Sequence, residues 1–156
     1  MDHKVLVGCP ASVYHEYSTD QYLTAIKKLN YSNYDIILAD NSKTDDFSKK
    51  LKGQGINFIR IEHSASPKKR IIDSRNALRK VVLEGNYDYF LSLEQDVIPP
   101  LDIIKKFISH NKNVVTGIYF NHYPSLSEPL PLAFIETGNK KYGLRTISDE
   151  ELNSNK

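Results

Sequence analysis

Five short apolar runs recur along this chain, and an amphipathic or helix-prone stretch separates each from the next. They are Lys4 to Cys9, Asp35 to Ala39, Asn57 to Ile61, Tyr87 to Leu93 and Val114 to Tyr119. Runs of this length, closed by Pro10, by Asp40-Asn41-Ser42 or by Glu94-Gln95-Asp96, read as buried strands. Between the first two, Ser18 followed by Gln21 resembles a capping box, and Tyr22, Leu23, Ile26 and Leu29 form a helical stripe. Thr44 is placed to cap a short helix through Leu51, which Gly53 and Gly55 break. Ile71, Ser74, Leu78, Val81 and Val82 share one face of a longer helix that Gly85 can end in a left-handed cap. Pro99 and Pro100 suit the start of a last helix, Leu101 to Ser109, because the first turn needs no amide donors there.

Strands alternating with helices imply right-handed crossovers and a mostly parallel sheet covered on both faces, an α/β chain of three α/β/α layers. A length of 156 residues suits one hydrophobic core. After Phe120 the pattern changes: Pro124, Pro129 and Pro131 interrupt it, Pro131 to Ile135 reads as an edge strand or extended loop, and Ser148 with Glu151 can open a helix. The expected division is therefore an α/β core over residues 1–120 and a Pro-rich, partly disordered extension over 121–156.

Charge narrows the partner. Lys and Arg number 21 against 19 Asp and Glu, so the formal net charge is only +2 and nucleic acid is not the expected ligand. The single cysteine, Cys9, excludes an internal disulfide and fits a reducing compartment. No run approaches the roughly 18 apolar residues of a membrane span, and Met1-Asp2-His3-Lys4 leads straight into a strand without a signal-peptide pattern. The expectation is a soluble cytoplasmic protein with no transmembrane segment and a small-molecule partner.

In a parallel sheet all strands deliver their carboxyl ends to one edge, where ligands bind. That edge collects Pro10-Ala11-Ser12 and Tyr14 after the first strand, Asp40-Asn41-Ser42 after the second, and Glu94-Gln95-Asp96 after the fourth. The third leads into Lys68-Lys69-Arg70 and the helix bearing Arg75-Asn76. Side chains two apart on an extended backbone point the same way, so Glu94 and Asp96 can share a ligand while Gln95 faces away. A carboxylate pair leaving room for water and phosphate suits Mg²⁺ or Mn²⁺. Cations at a helix start oppose the macrodipole, a cost that a bound diphosphate reverses. Each motif also has a plainer reading: Asp40-Asn41-Ser42 as a turn, the lysines as a solvated loop, Tyr14 as a surface tyrosine.

Taken together and in order, these segments resemble the N-terminal, nucleotide-sugar-binding half of a GT-A glycosyltransferase, most like the family 2 type, over roughly residues 4 to 120. The resemblance implies a Rossmann-like sheet and transfer of a sugar from a nucleotide-diphosphate donor, UDP- or GDP-linked, to a saccharide, lipid or protein hydroxyl, with inversion. It implies donor contacts from Pro10, Ala11, Ser12, Asp40, Asn41, Ser42, Arg75 and Glu94, to which the charge at the helix start adds Lys68. It implies Mn²⁺ or Mg²⁺ at Asp96 and Glu94, although the first acid is Glu94 where the family's Asp-x-Asp motif has Asp. Family members continue into an acceptor region that supplies the catalytic base, so the chain reads as a truncated one, its residues 121–156 beginning that region, and the base is unassigned.

Other candidates are weaker. His122, just after the fifth strand, is a possible Mn²⁺ ligand; His3, His15, His63 and His110 lack metal-ligand spacing. Cys9 reads as a buried apolar residue and Glu128 and Glu136 as solvated acids. The rival functions are a nucleotidyltransferase, which wants a Gly-rich basic loop where Gly8 stands alone, and a non-catalytic nucleotide-binding module. A receiver domain would need an acidic pair that Cys9-Pro10-Ala11-Ser12 lacks.

Overall fold

The computed structural model describes residues 2–121 and, beyond them, 127, 130–131, 134–136, 144–146, 148 and 150. The chain forms two compact units, Met1–Asn111 and Lys112–Lys156. The first is α/β. Its strands are β1 (Val5–Gly8), β2 (Pro10–Ala11), β3 (Tyr34–Asp40), β4 (Asn57–Arg60) and β5 (Tyr89–Ser92). Its helices are α1 (Glu16–Lys27), α2 (Asp46–Gly53), α3 (Pro67–Glu84) and α4 (Ile103–Ser109).

β1 and β2 are one strand interrupted at Cys9, whose carbonyl still accepts from the Ala39 amide at 3.0 Å. Every pairing in the sheet is parallel: β1 with β3 and β5, and β3 with β2 and β4. Counted along the chain, the order across the sheet is third, second, first, fourth. The winding therefore reverses between β1 and β5, the arrangement of a Rossmann-like half, and a crevice opens at such a reversal.

The alternation of side chains along β1 decides the layers. Val5, Val7, Cys9 and Ala11 face one way and join Tyr22, Leu23 and Ile26 of α1, Phe47 and Leu51 of α2, and Ile104 of α4 in the main core. Ala39 and Ile61 face the other way, onto Leu78 of α3. Gly8 leaves no room for a side chain: a Cβ there would stand 2.4 Å from the Ile37 carbonyl of the neighbouring β3 and 3.2 Å from Leu78 of α3.

Three local expectations are corrected. Ser18 does not cap α1, which begins two residues earlier at Glu16; its hydroxyl instead bonds the His15 carbonyl at 2.9 Å and the Gln95 carbonyl at 3.2 Å. Gly85 closes α3 at φ −94, and the left-handed residue is Asn86 at φ 55. Glycine is nonetheless needed at 85, where a Cβ would meet the Tyr87 ring at 2.5 Å. The run from Val114 to Tyr119, expected as a fifth strand, has no regular structure. Val114 is 87% exposed, Ile118 and Tyr119 are also exposed and only Val115 is half-buried, so the run lacks the burial on which β preference depends.

In the second unit, β6 (Phe120–Asn121) pairs antiparallel with β7 (Leu130–Pro131), and β8 (Phe134–Glu136) with β9 (Leu144–Thr146). Of the segment from Pro131 to Ile135, expected as an edge strand or extended loop, Pro131 ends β7 and Phe134 and Ile135 belong to β8, while residues 132–133 lie outside the described ones. His122, Glu128 and Glu151 lie outside the described residues, and of Glu136 only the backbone is described.

Candidate functional site

A cleft of about 250 Å³ opens at the carboxyl edge of the sheet, at the reversal between the first strand and β5. The loop after β2 gives it Pro10, Ala11 and Ser12, the turn after β3 gives Asn41, and the turn after β5 gives Glu94 and Asp96. Six of the residues expected to touch a donor or metal therefore share one cavity. Tyr14, His15, Gln95 and Arg70 also line it.

α3 aims its amino end at this cleft. Pro67 occupies its first turn and Ser66 caps it, accepting from the Lys69 amide at 3.3 Å. Pro67, Arg70 and Ile71 reach the cavity, so the positive end of an 18-residue helix faces it. Of the basic cluster only Arg70 lines the wall. Its guanidinium donates to the Ser64 carbonyl at 2.7 Å and lies over the Tyr14 ring, 5.4 Å from its centre. Lys69 is neutralised by Asp73 at 2.6 Å, and Lys68 is exposed without reaching the cleft. Arg75 acts at one remove: its guanidinium holds Glu94 Oε1 at 2.7 Å.

The two acid-bearing turns differ in what they bury. Asp40 is 0% exposed and lies behind the cleft wall. Its carboxylate accepts from the Ser42 amide at 2.8 Å and from the Ser48 hydroxyl, and pairs with the Arg60 guanidinium at 3.5 Å. Ser42 is equally buried, its hydroxyl accepting from the Val13 amide at 2.9 Å. These two residues shape the loop after β2 and do not line the cavity.

After β5 the orientation is reversed. The chain turns at Glu94 to Val97, closed by a bond from the Val97 amide to the Glu94 carbonyl at 3.1 Å. Glu94 and Asp96 both line the cleft, and Gln95 sends its side chain inward at 3% exposure; the three residues lie in a turn and not in the extended strand expected from their spacing. Gln95 Oε1 accepts from the Ser12 amide at 2.9 Å, and its Nε2 donates to Thr19 Oγ1 at 2.6 Å and to the His15 carbonyl at 3.2 Å. One side chain thus ties the acid turn to the loop after β2 and to α1. Nothing in the residue order marks Gln95 for this, because its partners lie about eighty positions away.

His15 is a second residue that spacing did not reveal. Its Nδ1 stands 4.0 Å from Asp96 Oδ2, both groups about half exposed. Cys9, beneath the acids, is held protonated: burial, opposed in part by the Tyr22 hydrogen bond and reinforced by the nearby negative charges of Glu94 and Asp96, pushes its thiol up to about 12. It is therefore packing rather than nucleophile.

Among the described residues no three His, Cys, Asp or Glu side chains cluster as a ready-made metal set. The carboxylates that line the cleft are Glu94, paired with Arg75, and Asp96, near His15; these are the two that could serve a hard cation. No helix among the described residues is long and apolar enough to cross a membrane. No protein-family model matches the chain, and no curated protein matches it in sequence.

Proposed function

We propose that this chain binds a nucleotide-diphosphate sugar in the cleft and transfers its sugar to an acceptor hydroxyl, as a GT-A-type, family 2-like glycosyltransferase acting in the cytoplasm. The observation that carries the reading is convergence. Turns from separate parts of the sequence bring two carboxylates, an aromatic-guanidinium pair and a helix amino end to one crevice at the sheet's reversal. An anion-binding end facing two acids is contradictory for a simple anion site. It is consistent for a diphosphate that arrives with a divalent cation.

Asp96 and Glu94 are the residues that would hold Mn²⁺ or Mg²⁺. When bound, the ion supplies Lewis-acid stabilisation of the departing diphosphate. The rest falls to the chain's own groups. Arg75 holds Glu94 in place and adds positive charge beside it. The amino end of α3 and Arg70 attract phosphate oxygens. Gln95 fixes the turn so that both acids keep their direction. Asp40 and Ser42 act indirectly, by setting the loop that carries Ser12 to Tyr14. Lys68, exposed on the first turn of α3, is left to long-range attraction of the donor.

Calorimetric titration with UDP and GDP, with and without Mn²⁺, tests this on the protein and on Asp96→Asn. Mn²⁺ is expected to tighten binding of one of the two by at least about ten-fold, about 1.4 kcal/mol, and Asp96→Asn to remove that gain. Binding indifferent to both ion and substitution defeats the proposal. A donor-hydrolysis assay alongside separates the enzyme from a nucleotide-binding module, which would bind without turnover.

A further inference from the structure

Two of the most deeply buried polar side chains in the cleft wall have hydrogen-bonding capacity left over. Ser12 and Asn41 are each 6% exposed. Ser12 stands where a serine would cap the 3-10 turn Val13–His15, yet its side chain makes no capping bond, and only its amide and carbonyl are engaged. Among the described residues its hydroxyl has no protein partner. The Asn41 amide is half engaged. Ser74 Oγ gives its one proton to the Arg70 carbonyl at 2.7 Å, so toward Asn41, at 3.1 Å, it can only accept. That fixes the orientation of the amide: Nδ2 faces Ser74, and Oδ1 faces away with no protein partner among the described residues. No side-chain polar atom described is both buried and unpaired, so the Ser12 hydroxyl and Asn41 Oδ1 reach open space. The space that both residues line is the cleft.

The register places them side by side. Ala11 pairs with Asp40 at the end of the ladder, and the Asn41 amide donates to the Ala11 carbonyl at 3.0 Å, so Ser12 and Asn41 are the next residues along adjacent strands. One presents a pure acceptor, the other a hydroxyl able to donate. Tyr14 and the guanidinium of Arg70 add a flat surface in the same cavity. A flat ring carrying an N–H directly beside a C=O satisfies all three.

Resting on the nucleotide reading above, we infer that Ser12 and Asn41 select the base, with Asn41 Oδ1 accepting a ring N–H and the Ser12 hydroxyl donating to the neighbouring carbonyl. This assigns specificity to uracil- or guanine-type bases. Cytosine lacks the ring N–H and adenine lacks the carbonyl. Asp40, the acid expected to read the base, is fully engaged inside the fold and takes no part in the selection.

The test titrates UDP, GDP, CDP and ADP with Mg²⁺ into the wild-type protein, together with UDP methylated at N3. At least one of UDP and GDP is expected to bind about ten-fold or more tighter than both CDP and ADP, and N3-methylation to cost UDP a similar factor, as befits loss of one hydrogen bond to a buried partner. Ser12→Ala is expected to narrow the gap between preferred and rejected bases while leaving inorganic pyrophosphate binding unchanged. Equal affinity for all four nucleotides, or an N3-methyl group without effect on a UDP that does bind, overturns the base assignment and leaves nucleotide binding standing. Failure of all four to bind overturns both. The methylated ligand needs no variant, so a misfolded Asn41→Ala would not blur the result.

Discussion

The turns that end β3 and β5 are built from similar residues and face opposite ways. In Asp40-Asn41-Ser42 the carboxylate is sunk and the amide opens onto the cleft; in Glu94-Gln95-Asp96 the amide is sunk and the carboxylates open. The partners waiting behind each turn account for the difference. Asp40 meets only donors: an amide N–H, a hydroxyl and a guanidinium. A group that accepts on both oxygens satisfies them all. Gln95 meets one donor, the Ser12 amide, and two acceptors, the His15 carbonyl and the Thr19 hydroxyl, whose own proton goes to that same carbonyl. Only a side chain with both an oxygen and an NH₂ serves that set. Burial is thus assigned by matching donors to acceptors, with polarity as such deciding little.

The largest test of this contrast compares the acids. Asp40→Ala strips the Ser42 amide and the Ser48 hydroxyl of their buried acceptor and takes one of two carboxylates from Arg60, which keeps Asp45 at 3.1 Å, and a loss of about 2 to 4 kcal/mol is expected. Asp96→Ala, at an exposed site, should stay within about 0.5 kcal/mol. Urea unfolding of both variants measures the difference, and equal losses would break the comparison.

Next in size is Gln95→Glu, nearly isosteric, which points a carboxylate at the His15 carbonyl and removes both donated bonds. A loss of about 2 to 3 kcal/mol at pH 7 is expected. Burial beside an acceptor raises the new carboxyl's folded pKa above its unfolded value near about 4.3. Stability is then retained below the unfolded pKa and lost as pH rises, so the deficit should shrink in acid. A pH-independent deficit would show that Gln95 acts by shape alone.

A smaller effect is expected at alkaline pH from the layer beneath the acids. Cys9 rises from an ordinary 9.0 to about 12, so both states are protonated at neutral pH and its contribution to stability is constant there. Above about 9 the unfolded chain releases the proton and the folded one does not, costing up to about 1.4 kcal/mol per pH unit until the folded thiol ionises. Cys9→Ala should flatten the fall between pH 9 and 10 in thermal unfolding. An unchanged slope would mean that the thiol is open to solvent.

How far this architecture can be read from residue order follows from the same contrast. The four strands of the sheet announce themselves through apolar runs, and their order along the chain is enough to place the turns after β2, β3 and β5 on one edge. The inward direction of Gln95 does not follow from the two-residue period, because β5 ends at Ser92 and Gln95 sits in a turn, where its hydrogen-bond partners set its direction. What the period cannot supply is the far partner. That Asp40 is engaged by Ser48 and Arg60, that Gln95 grips Ser12 and Thr19, and that His15 stands beside Asp96 all depend on contacts between separate elements. The run from Val114 to Tyr119 fails for the complementary reason: its pattern suits a strand, but a strand also requires a neighbour that buries it.

The smallest expected effect concerns the open turn alone. Arg75 and Glu94 meet at 2.7 Å with both side chains about half exposed, so their mutual coupling should be about 0.2 to 1 kcal/mol and should weaken in salt. A double-mutant cycle with Arg75→Ala and Glu94→Gln measures it. If the pair exists to hold the acid for a ligand, Arg75→Ala will barely move the unfolding midpoint yet weaken UDP or GDP binding by about ten-fold, because the charge it places beside the diphosphate site and its hold on Glu94 matter only when the ligand is bound. A coupling well above about 1 kcal/mol, with nucleotide affinity unchanged, would instead make this a structural brace like Asp40 and Arg60, and the two turns would no longer differ in kind.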